Sequence, residues 1–283
     1  MLDLFTIIWG PTMIESYLEV TLPSLLQPDN IPGANKFLHS YNFYASDEAK
    51  EKIRRSPLYP RLSEVIEVNW FPLQKGEWET TSDTLHQMKL SATERHYMLI
   101  MPPDNAVGNG SILNMAELCD GARNPILFGF PRVNEDGWQI ICSLFKEGQT
   151  LSNRQLVTIA MRYIEQTTYR IEPNVVRWIV HGNSWKVRHN VPTPCILPDE
   201  WVIETFSTNP TVNSGYDHTL PYLMAQQGYP WHLIRHSDVF FLVERGRHLI
   251  IEGSGYDTNV WHQLEALKGL EFFGKEEAIW QGL

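Results

Sequence analysis

Cysteine is scarce in this chain, and its distribution excludes two kinds of stabilising site. The 283 residues include three cysteines, Cys119, Cys142 and Cys195, which are odd in number and far apart in sequence. Neither a CxxC pair nor a cluster of histidines and cysteines occurs, so we expect no zinc site and no disulfide framework. A chain of this length, with 43% hydrophobic residues, is long enough to build a hydrophobic core as one large or two small domains.

Positive charge and long hydrophobic runs are also in short supply. The 23 lysines and arginines are outnumbered by 33 aspartates and glutamates, for a net charge of −10 at pH 7. This balance argues against a duplex nucleic-acid partner, which needs a basic surface. No hydrophobic run approaches the roughly 18 residues of a transmembrane helix, and the N-terminus carries Asp3 but no basic stretch typical of a signal peptide. We therefore expect a soluble, cytoplasmic protein without a membrane span, and its oligomeric state is open.

Three short motifs that identify common classes of α/β enzyme are missing. No GxGxxG follows the first predicted strand, so the dinucleotide-binding fingerprint is absent, and no GxxxxGK[ST] occurs, which excludes a P-loop nucleotide hydrolase. The GxSxG turn that carries the nucleophile of α/β-hydrolases is absent as well. Any function must therefore reside in side chains that form none of these motifs.

What the chain does contain is a regular alternation of strand and helix patterns. Short runs of apolar residues predict five strands, and helical patterns or capping residues separate each strand from the next. Alternation of this kind predicts an α/β fold with a mainly parallel sheet and right-handed crossovers. The predicted strands are Leu4–Ile8, Phe37–Ala45, Val65–Trp70, Tyr97–Met101 and Pro125–Phe130.

Capping residues predict where several helices begin. Thr12–Glu15 and Ser152–Gln155 have the spacing of a capping box, and Ser46 precedes two acidic residues at the start of another helix. Further along, Gly137–Phe145 alternates in the manner of a strand, and Glu276–Trp280 is predicted to be part of a closing helix. We expect the C-terminal part to add mixed strands and loops to the same domain.

One acidic residue stands at the end of the predicted central strand. Tyr97–Met101 is terminated by Pro102 and Pro103, because proline donates no hydrogen bond to a sheet, and Asp104 follows directly. Ligands of open α/β sheets bind beyond the carboxyl ends of the strands. Asp104 is therefore the leading candidate for a functional residue, with a role as the cap of a turn as the alternative. A carboxylate in this position suits a divalent cation that binds a diphosphate.

Several segments together resemble GT-A-fold glycosyltransferase-like proteins, mainly over residues 1–145. The chain starts with a TIIWG strand and turn, continues with YNFYASDEAKEKIRRSP, and reaches YMLIMPPDNAVGNGSI at the central strand. The segments HGNSWKVRHN and HSDVFFLVE match the C-terminal half of the family more loosely. The resemblance implies a single GT-A-like domain over residues 1–283, with a mainly parallel sheet in a Rossmann-like three-layer arrangement. Residues 1–145 would form its nucleotide-binding half and residues 146–283 its acceptor-side half.

The resemblance also implies a donor, a cofactor and the residues that hold them. Trp9 and Gly10 correspond to the turn that cradles the nucleotide of a nucleotide-sugar donor. Asp104 corresponds to an acidic motif that contacts a divalent cation, Mn²⁺ or Mg²⁺, and the sugar phosphates. That motif usually has two aspartates around one residue, whereas this chain has Pro103-Asp104-Asn105-Ala106 and lacks the second aspartate. Asn105 remains able to offer its carbonyl oxygen to the cation or to a hydroxyl group.

A single acidic residue needs further partners, and the sequence offers several. Lys89 is a candidate partner for phosphate, or a surface lysine, and His189 is a candidate metal ligand, or a solvated side chain. Inverting transfer needs a carboxylate that takes the proton of the acceptor hydroxyl. Asp217 and Asp238 are the candidates for this catalytic role, and each also suits the cap of a helix or turn. His218, beside Asp217, is a further candidate to assist Asp104. Retaining transfer needs no such dedicated base, and the sequence does not decide between the two.

Three functions follow from these features. The first is transfer of a sugar from a nucleotide-sugar donor to an unknown acceptor, with a divalent cation held by Asp104. The second is a non-catalytic GT-A-like binding or assembly module, which the missing second aspartate favours. The third, a metal-assisted hydrolase that uses Asp104 and histidines, ranks last because no HxE or paired-histidine motif occurs.

Overall fold

A computed structural model describes residues 1–73, 97–119, 126–128, 130–165, 176–181, 184–188, 193–198, 232–234, 236–246 and 277–283. The helices are α1 (Pro11–Ser16), α2 (Leu22–Leu25), α3 (Ile31–Ala34), α4 (Asp47–Arg55), α5 (Tyr59–Val65), α6 (Ser111–Cys119), α7 (Glu135–Lys146) and α8 (Asn153–Arg162). The strands are β1 (Leu2–Ile8), β2 (Leu38–Ala45), β3 (Glu67–Pro72), β4 (Tyr97–Ile100), β5 (Asn105–Val107), β6 (Ile126–Phe128), β7 (Arg132–Val133), β8 (Val176–His181), β9 (Ser184–Arg188), β10 (Thr193–Pro198), β11 (His232–Leu233), β12 (Leu242–Arg245) and β13 (Glu277–Gln281). A π-helical segment over Tyr17–Thr21 joins α1 to α2.

The main sheet confirms the predicted α/β class. Its strand order is β11-β6-β10-β4-β1-β2-β3, with β4, β1, β2 and β3 parallel to one another. Strand β10 runs antiparallel between β4 and β6, so the C-terminal part adds the mixed pairing that the sequence predicted. Every residue of β1 is buried, which explains its nearly continuous apolar sequence.

The helices around α1 share one hydrophobic core with the parallel strands. Leu4 and Ile8 of β1 belong to the same buried cluster as Ile14 of α1 and Leu22 of α2. Phe5 of β1 and Tyr44 of β2 occupy alternate positions along their strands, and their ring centroids are 6.5 Å apart. Because side chains alternate between the faces of a strand, both faces of β1 are packed.

A second, three-stranded sheet extends the core toward α7 and α8. Strand β12 lies between β5 and β7, antiparallel to β5 and parallel to β7. Ala106, Val133 and Val243 from these strands pack with Trp138 of α7 and Leu156 of α8. A segment from near residue 240 is thus built into the core formed by residues 105–165. A third sheet joins β8, β9 and β13 in antiparallel pairs.

The capping predictions have mixed outcomes. Ser152 and Gln155 form the predicted capping box of α8, and Ser46 accepts a hydrogen bond from the Ala49 amide at the start of α4. The capping box predicted at Thr12–Glu15 is wrong. Helix α1 begins at Pro11, whose missing amide proton costs nothing at a helix start, and no side chain caps it.

Two of the predicted elements have the wrong type. Gly137–Phe145, predicted as a strand, lies in helix α7, where the Asn134 side chain accepts a hydrogen bond from the Gly137 amide. Of Glu276–Trp280, predicted to be helical, Glu277–Trp280 belong to strand β13, and Glu276 lies outside the described residues. Within the described ranges, the helices are all too short or too polar to cross a lipid bilayer.

Candidate active site at the carboxyl edge of the parallel sheet

The turn after β1 lies at the edge of the sheet where ligands of α/β proteins bind. Trp9 and Gly10 follow the last residue of β1 directly, and both are partly exposed. Gly10 has a φ angle of 75° and leaves open space where a Cβ atom would stand. The glycine is therefore required by its backbone conformation, which other residues adopt at a cost, rather than by crowding.

Strand β4 ends at the same edge, next to β1. Ile100, its last residue, is paired with Phe5, and the Met101 amide donates a 2.7 Å hydrogen bond to the Phe5 carbonyl. The Thr6 hydroxyl then donates to the Met101 carbonyl over 2.8 Å. The two segments predicted to hold the donor, Trp9-Gly10 and the residues after β4, therefore follow neighbouring parallel strands.

The backbone of Asp104 is fixed from two sides. The Thr21 hydroxyl donates a 2.7 Å hydrogen bond to the Pro103 carbonyl, from the π-helical segment. On the other side, the Arg245 amide donates a 2.9 Å hydrogen bond to the Asp104 carbonyl. The acid predicted from its position in sequence thus lies in a short, restrained connection between β4 and β5.

Asp104 and Asn105 are both almost fully buried. Asp104 is 3% exposed and Asn105 is 1% exposed. The Asn105 Oδ1 atom is buried and, among the described residues, receives no hydrogen bond. Since a buried polar atom without a partner destabilises the folded state by about 1–3 kcal/mol, such an atom is often explained by a ligand or water that the site takes up.

The row of residues beside Asn105 carries charge. Asn105 is paired with Glu244 across β5 and β12, and Glu244 with Arg132 across β12 and β7. The Arg132 Nε atom donates a 3.1 Å hydrogen bond to Glu244 Oε1, and both side chains are about one-fifth exposed. On the two strands beside Asn105, the small sheet therefore carries an ion pair, Glu244 with Arg132, that is partly exposed.

Oxygen atoms at this edge fit a hard divalent cation, but they are few. The Asp104 carboxylate and the Asn105 carbonyl are ligands of the kind that Mg²⁺ and Mn²⁺ prefer. Within the described part of the chain, no group of three or more histidine, cysteine, aspartate or glutamate residues could hold a metal ion. These two residues would thus supply only part of a coordination shell, and phosphate oxygens of a donor would have to supply more.

Asp238, one of the two candidate bases, lies away from Asp104. It precedes β12, whose first residue, Leu242, is paired with Val107, whereas Asp104 meets Arg245 at the other end of the same strand. The Arg154 Nη2 and Nε atoms donate hydrogen bonds of 2.8 and 3.1 Å to its two carboxylate oxygens. This pairing lowers the pKa of Asp238, which makes it a weaker base.

Four other candidates lie outside the described residues. They are Lys89, His189, Asp217 and His218. Their predicted contacts with phosphate, metal and acceptor therefore stay predictions.

Sequence reasoning overlooked Arg245, which has several contacts near Asp104. Its guanidinium donates to both carboxylate oxygens of Glu135, and its Nη1 atom donates a 2.9 Å hydrogen bond to Ser16 Oγ. Glu135 and Arg245 are 110 positions apart, so no local pattern links them. The only signal in the sequence was a pair of charged residues, Glu244 and Arg245, at the end of an apolar run.

The comparisons with known proteins bear on the fold of this chain. No protein-family model matches the chain, and no curated protein matches its sequence. Similar solved structures include GalNAc-T7 with UDP, GalNAc and Mn²⁺, at 10% identity and a TM-score of 0.48 over 95% of this chain and 50% of that chain. The 4-diphosphocytidyl-2C-methyl-D-erythritol synthase of Anaerococcus prevotii has 7% identity and a TM-score of 0.42, over 94% of this chain and 98% of its own.

A third similar structure is that of S. aureus TarS 1–349, with 9% identity and a TM-score of 0.41 over 87% of this chain and 58% of that chain. The similar structures thus include GT-A glycosyltransferases and a nucleotidyltransferase, the first being the family that the sequence resembles. This chain spans about half the length of the GalNAc-T7 chain. Likenesses of this extent carry no argument about what this chain binds.

Proposed function

We propose that this chain is a glycosyltransferase-like protein that transfers a sugar from a nucleotide-sugar donor to an acceptor. The observation that carries the proposal is the placement of Asp104 and Asn105 in and after the short connection that follows the carboxyl end of β4, with Asn105 Oδ1 buried and unpartnered among the described residues. Trp9 and Gly10, at the end of the neighbouring strand, would contact the nucleotide. The acceptor is not specified by these features.

A divalent cation would complete this site. Asp104 would hold it, Asn105 would add its carbonyl oxygen, and the donor phosphates would fill further positions. When bound, the cation offsets the negative charge that develops on the departing nucleotide diphosphate. His189, the other predicted metal ligand, remains part of this proposal.

Proton transfer from the acceptor needs a separate group if the reaction inverts the sugar. Of the two carboxylates proposed for this step, Asp238 is held in an ion pair with Arg154 that lowers its pKa. A group with a lowered pKa accepts a proton less readily. Asp217 is therefore the stronger candidate for the base.

Thermal unfolding in the presence of ligands tests the proposal. Because the described residues offer only two metal ligands, Mn²⁺ alone should give little stabilisation, whereas Mn²⁺ together with UDP or GDP should raise the melting temperature in a concentration-dependent manner. Asp104→Asn, which keeps the size of the side chain, should abolish this ligand-dependent increase.

Asp136→Asn is the matched control. Asp136 is an exposed acid in the first turn of α7, so its substitution should leave the ligand-dependent increase intact. A wild-type protein that no nucleotide stabilises, with or without Mn²⁺, would overturn the proposal. If a nucleotide does stabilise the protein, hydrolysis measured over a panel of nucleotide sugars would identify the donor class.

A second candidate function is a GT-A-like module that binds or assembles without catalysis. The observation in its favour is the near-complete burial of Asp104 and Asn105, at 3% and 1% exposure, together with the missing second aspartate. A protein of this kind would show no ligand-dependent difference between the wild type and Asp104→Asn, and no turnover of any nucleotide sugar.

A further inference from the structure

Arg245 joins three elements that are far apart in sequence. Its side chain, 21% exposed, donates hydrogen bonds of 2.9–3.0 Å to Glu135 at the start of α7. The same guanidinium donates to Ser16 Oγ at the end of α1, and Ser16 is 1% exposed. Its backbone amide donates to the Asp104 carbonyl. Through Arg245, strand β12 therefore contacts both the β4–β5 connection, which contains Asp104, and helix α1, which follows Trp9-Gly10.

The guanidinium of Arg245 has little capacity left for a ligand. All three of its nitrogen atoms already donate, Nε and Nη2 to Glu135 and Nη1 to Ser16. A bidentate pair with a carboxylate fixes the plane and direction of a guanidinium. The Arg245 Cζ atom lies over the Trp138 ring, 6.0 Å from its centroid, and this contact restrains the guanidinium further. Its geometry suits holding other groups in place more than binding a phosphate directly.

Two parts of the candidate site depend on this arrangement. Asp104 is held through its carbonyl, and α1, which follows the nucleotide turn at Gly10, is held through Ser16. Thr21, in the π-helical segment that continues α1, donates a hydrogen bond to the Pro103 carbonyl. Displacement of α1 relative to Asp104 would therefore have to break the contact between Arg245 and Ser16.

We infer that Arg245 is a positioning residue that sets Asp104 relative to the turn at Trp9-Gly10 and so couples cation binding to nucleotide binding. This inference rests on the proposed function. It predicts that Mn²⁺ strengthens UDP binding more while the contacts of Arg245 are intact than when they are removed. A purely structural role would lower stability without changing this linkage between the two ligands.

Calorimetric titration of UDP, with and without saturating Mn²⁺, tests the inference at a temperature where every variant is folded. In the wild type, Mn²⁺ should increase UDP affinity by a factor in the usual range for coupled sites, about 5–150. Ser16→Ala and Arg245→Met should reduce this factor, because the part of the coupling free energy that depends on the position of Asp104 is lost while direct contact between cation and diphosphate persists. UDP affinity without Mn²⁺ should stay close to that of the wild type.

Arg154→Met is the matched control, because Arg154 also forms a bidentate ion pair, with Asp238, at the other end of β12. It should retain the wild-type factor. An unchanged factor in both Ser16→Ala and Arg245→Met would overturn the inference and leave the proposed function standing. A wild-type protein that binds neither UDP nor GDP, with or without Mn²⁺, would overturn both.

Hydrogen exchange gives a second measurement that needs no ligand. The Arg245 amide donates to the Asp104 carbonyl, so its exchange rate reports how firmly Asp104 is held. Ser16→Ala should accelerate exchange at this amide, and Arg154→Met should not. Equal protection in the wild type and Ser16→Ala would show that the Ser16 contact does not position Asp104, and would overturn the inference.

Discussion

Asn105 and Asn42 are both buried asparagines, but their hydrogen bonding differs. Asn42 Nδ2 donates to Ser40 Oγ over 2.8 Å, and its Oδ1 accepts from Asn69. Asn105 Oδ1 receives no hydrogen bond from the described residues. A buried polar group without a partner is retained when it serves a ligand, since it lowers stability otherwise. Substitution of Asn105 should therefore change stability and ligand binding in opposite directions.

Asn105→Leu should therefore raise stability and impair binding. Removal of the unpartnered carbonyl should increase the free energy of unfolding by about 1 kcal/mol, as measured by urea denaturation. The same variant should lose the Mn²⁺-dependent stabilisation by UDP in thermal unfolding. Both changes have one cause, because the atom that destabilises the free protein is the one proposed to bind.

Asn42→Leu provides the comparison for this substitution. It removes a side chain whose partners would then be left buried and unsatisfied, so we expect a loss of about 1–3 kcal/mol and unchanged ligand dependence. If Asn105→Leu destabilised the protein as much as Asn42→Leu, the Asn105 side chain would have a structural partner, and its assignment to the site would fail.

At the scale of single elements, helix α8 shows what a local sequence pattern can specify. Ser152 accepts a hydrogen bond from the Gln155 amide, and the Gln155 side chain accepts one from the Ser152 amide. Both partners lie within four residues, so the pattern was visible in the sequence and the predicted start was correct. Residues whose partners lie near in sequence are those that such reasoning identifies.

Ser152→Ala should destabilise the protein by about 1 kcal/mol, the usual cost of losing an N-cap side chain. The cause is the loss of the acceptor for the Gln155 amide at the start of α8. Chemical denaturation would measure the change. Ser143→Ala, on the exposed face of α7, serves as the control and should stay within about 0.5 kcal/mol of the wild type. A similar loss in both variants would mean that the capping box adds nothing beyond helix propensity.

Helix α7 shows where the local pattern misled. Trp138, Ile140, Cys142 and Leu144 alternate as they would in a strand, but the buried positions are Trp138, Ile141, Cys142 and Phe145. Those positions recur at helical spacing, and a segment rich in apolar residues matches both periods. Packing against α8 and the small sheet decides the outcome, and the sequence of this segment alone does not contain that information.

At the scale of the whole molecule, the predicted fold class and the position of Asp104 followed from the order of strands and helices. The small sheet did not follow, because β5 and β12 pair residues that are about 140 positions apart, such as Asn105 and Glu244. Arg245 was missed for the same reason. The alternation of strands and helices along the chain determines which strands are parallel. Contacts made by a distant segment such as β12 depend instead on which side chains pack into the completed core.

The same long-range pairing predicts that residues 1–165 do not fold on their own. Phe241 and Val243 are buried in the core that α7 and α8 share with β5 and β7, and Phe240 and Leu242 are buried in the main core. A fragment that ends at residue 165 would expose the apolar surfaces that these side chains cover, and truncation of one buried phenylalanine alone costs about 3–5 kcal/mol.

We therefore expect the 1–165 fragment to bind the dye ANS and to lack near-ultraviolet circular dichroism, as loosely packed states do. The full chain, measured in parallel, should do neither and should unfold cooperatively. Phe241→Ala in the full chain isolates the contribution of one of these side chains and should lower stability without abolishing cooperative unfolding. A fragment that unfolds cooperatively would instead show that residues 1–165 form an independent domain. The nucleotide-binding and acceptor-side halves would then be separate folding units rather than parts of the single domain predicted over residues 1–283.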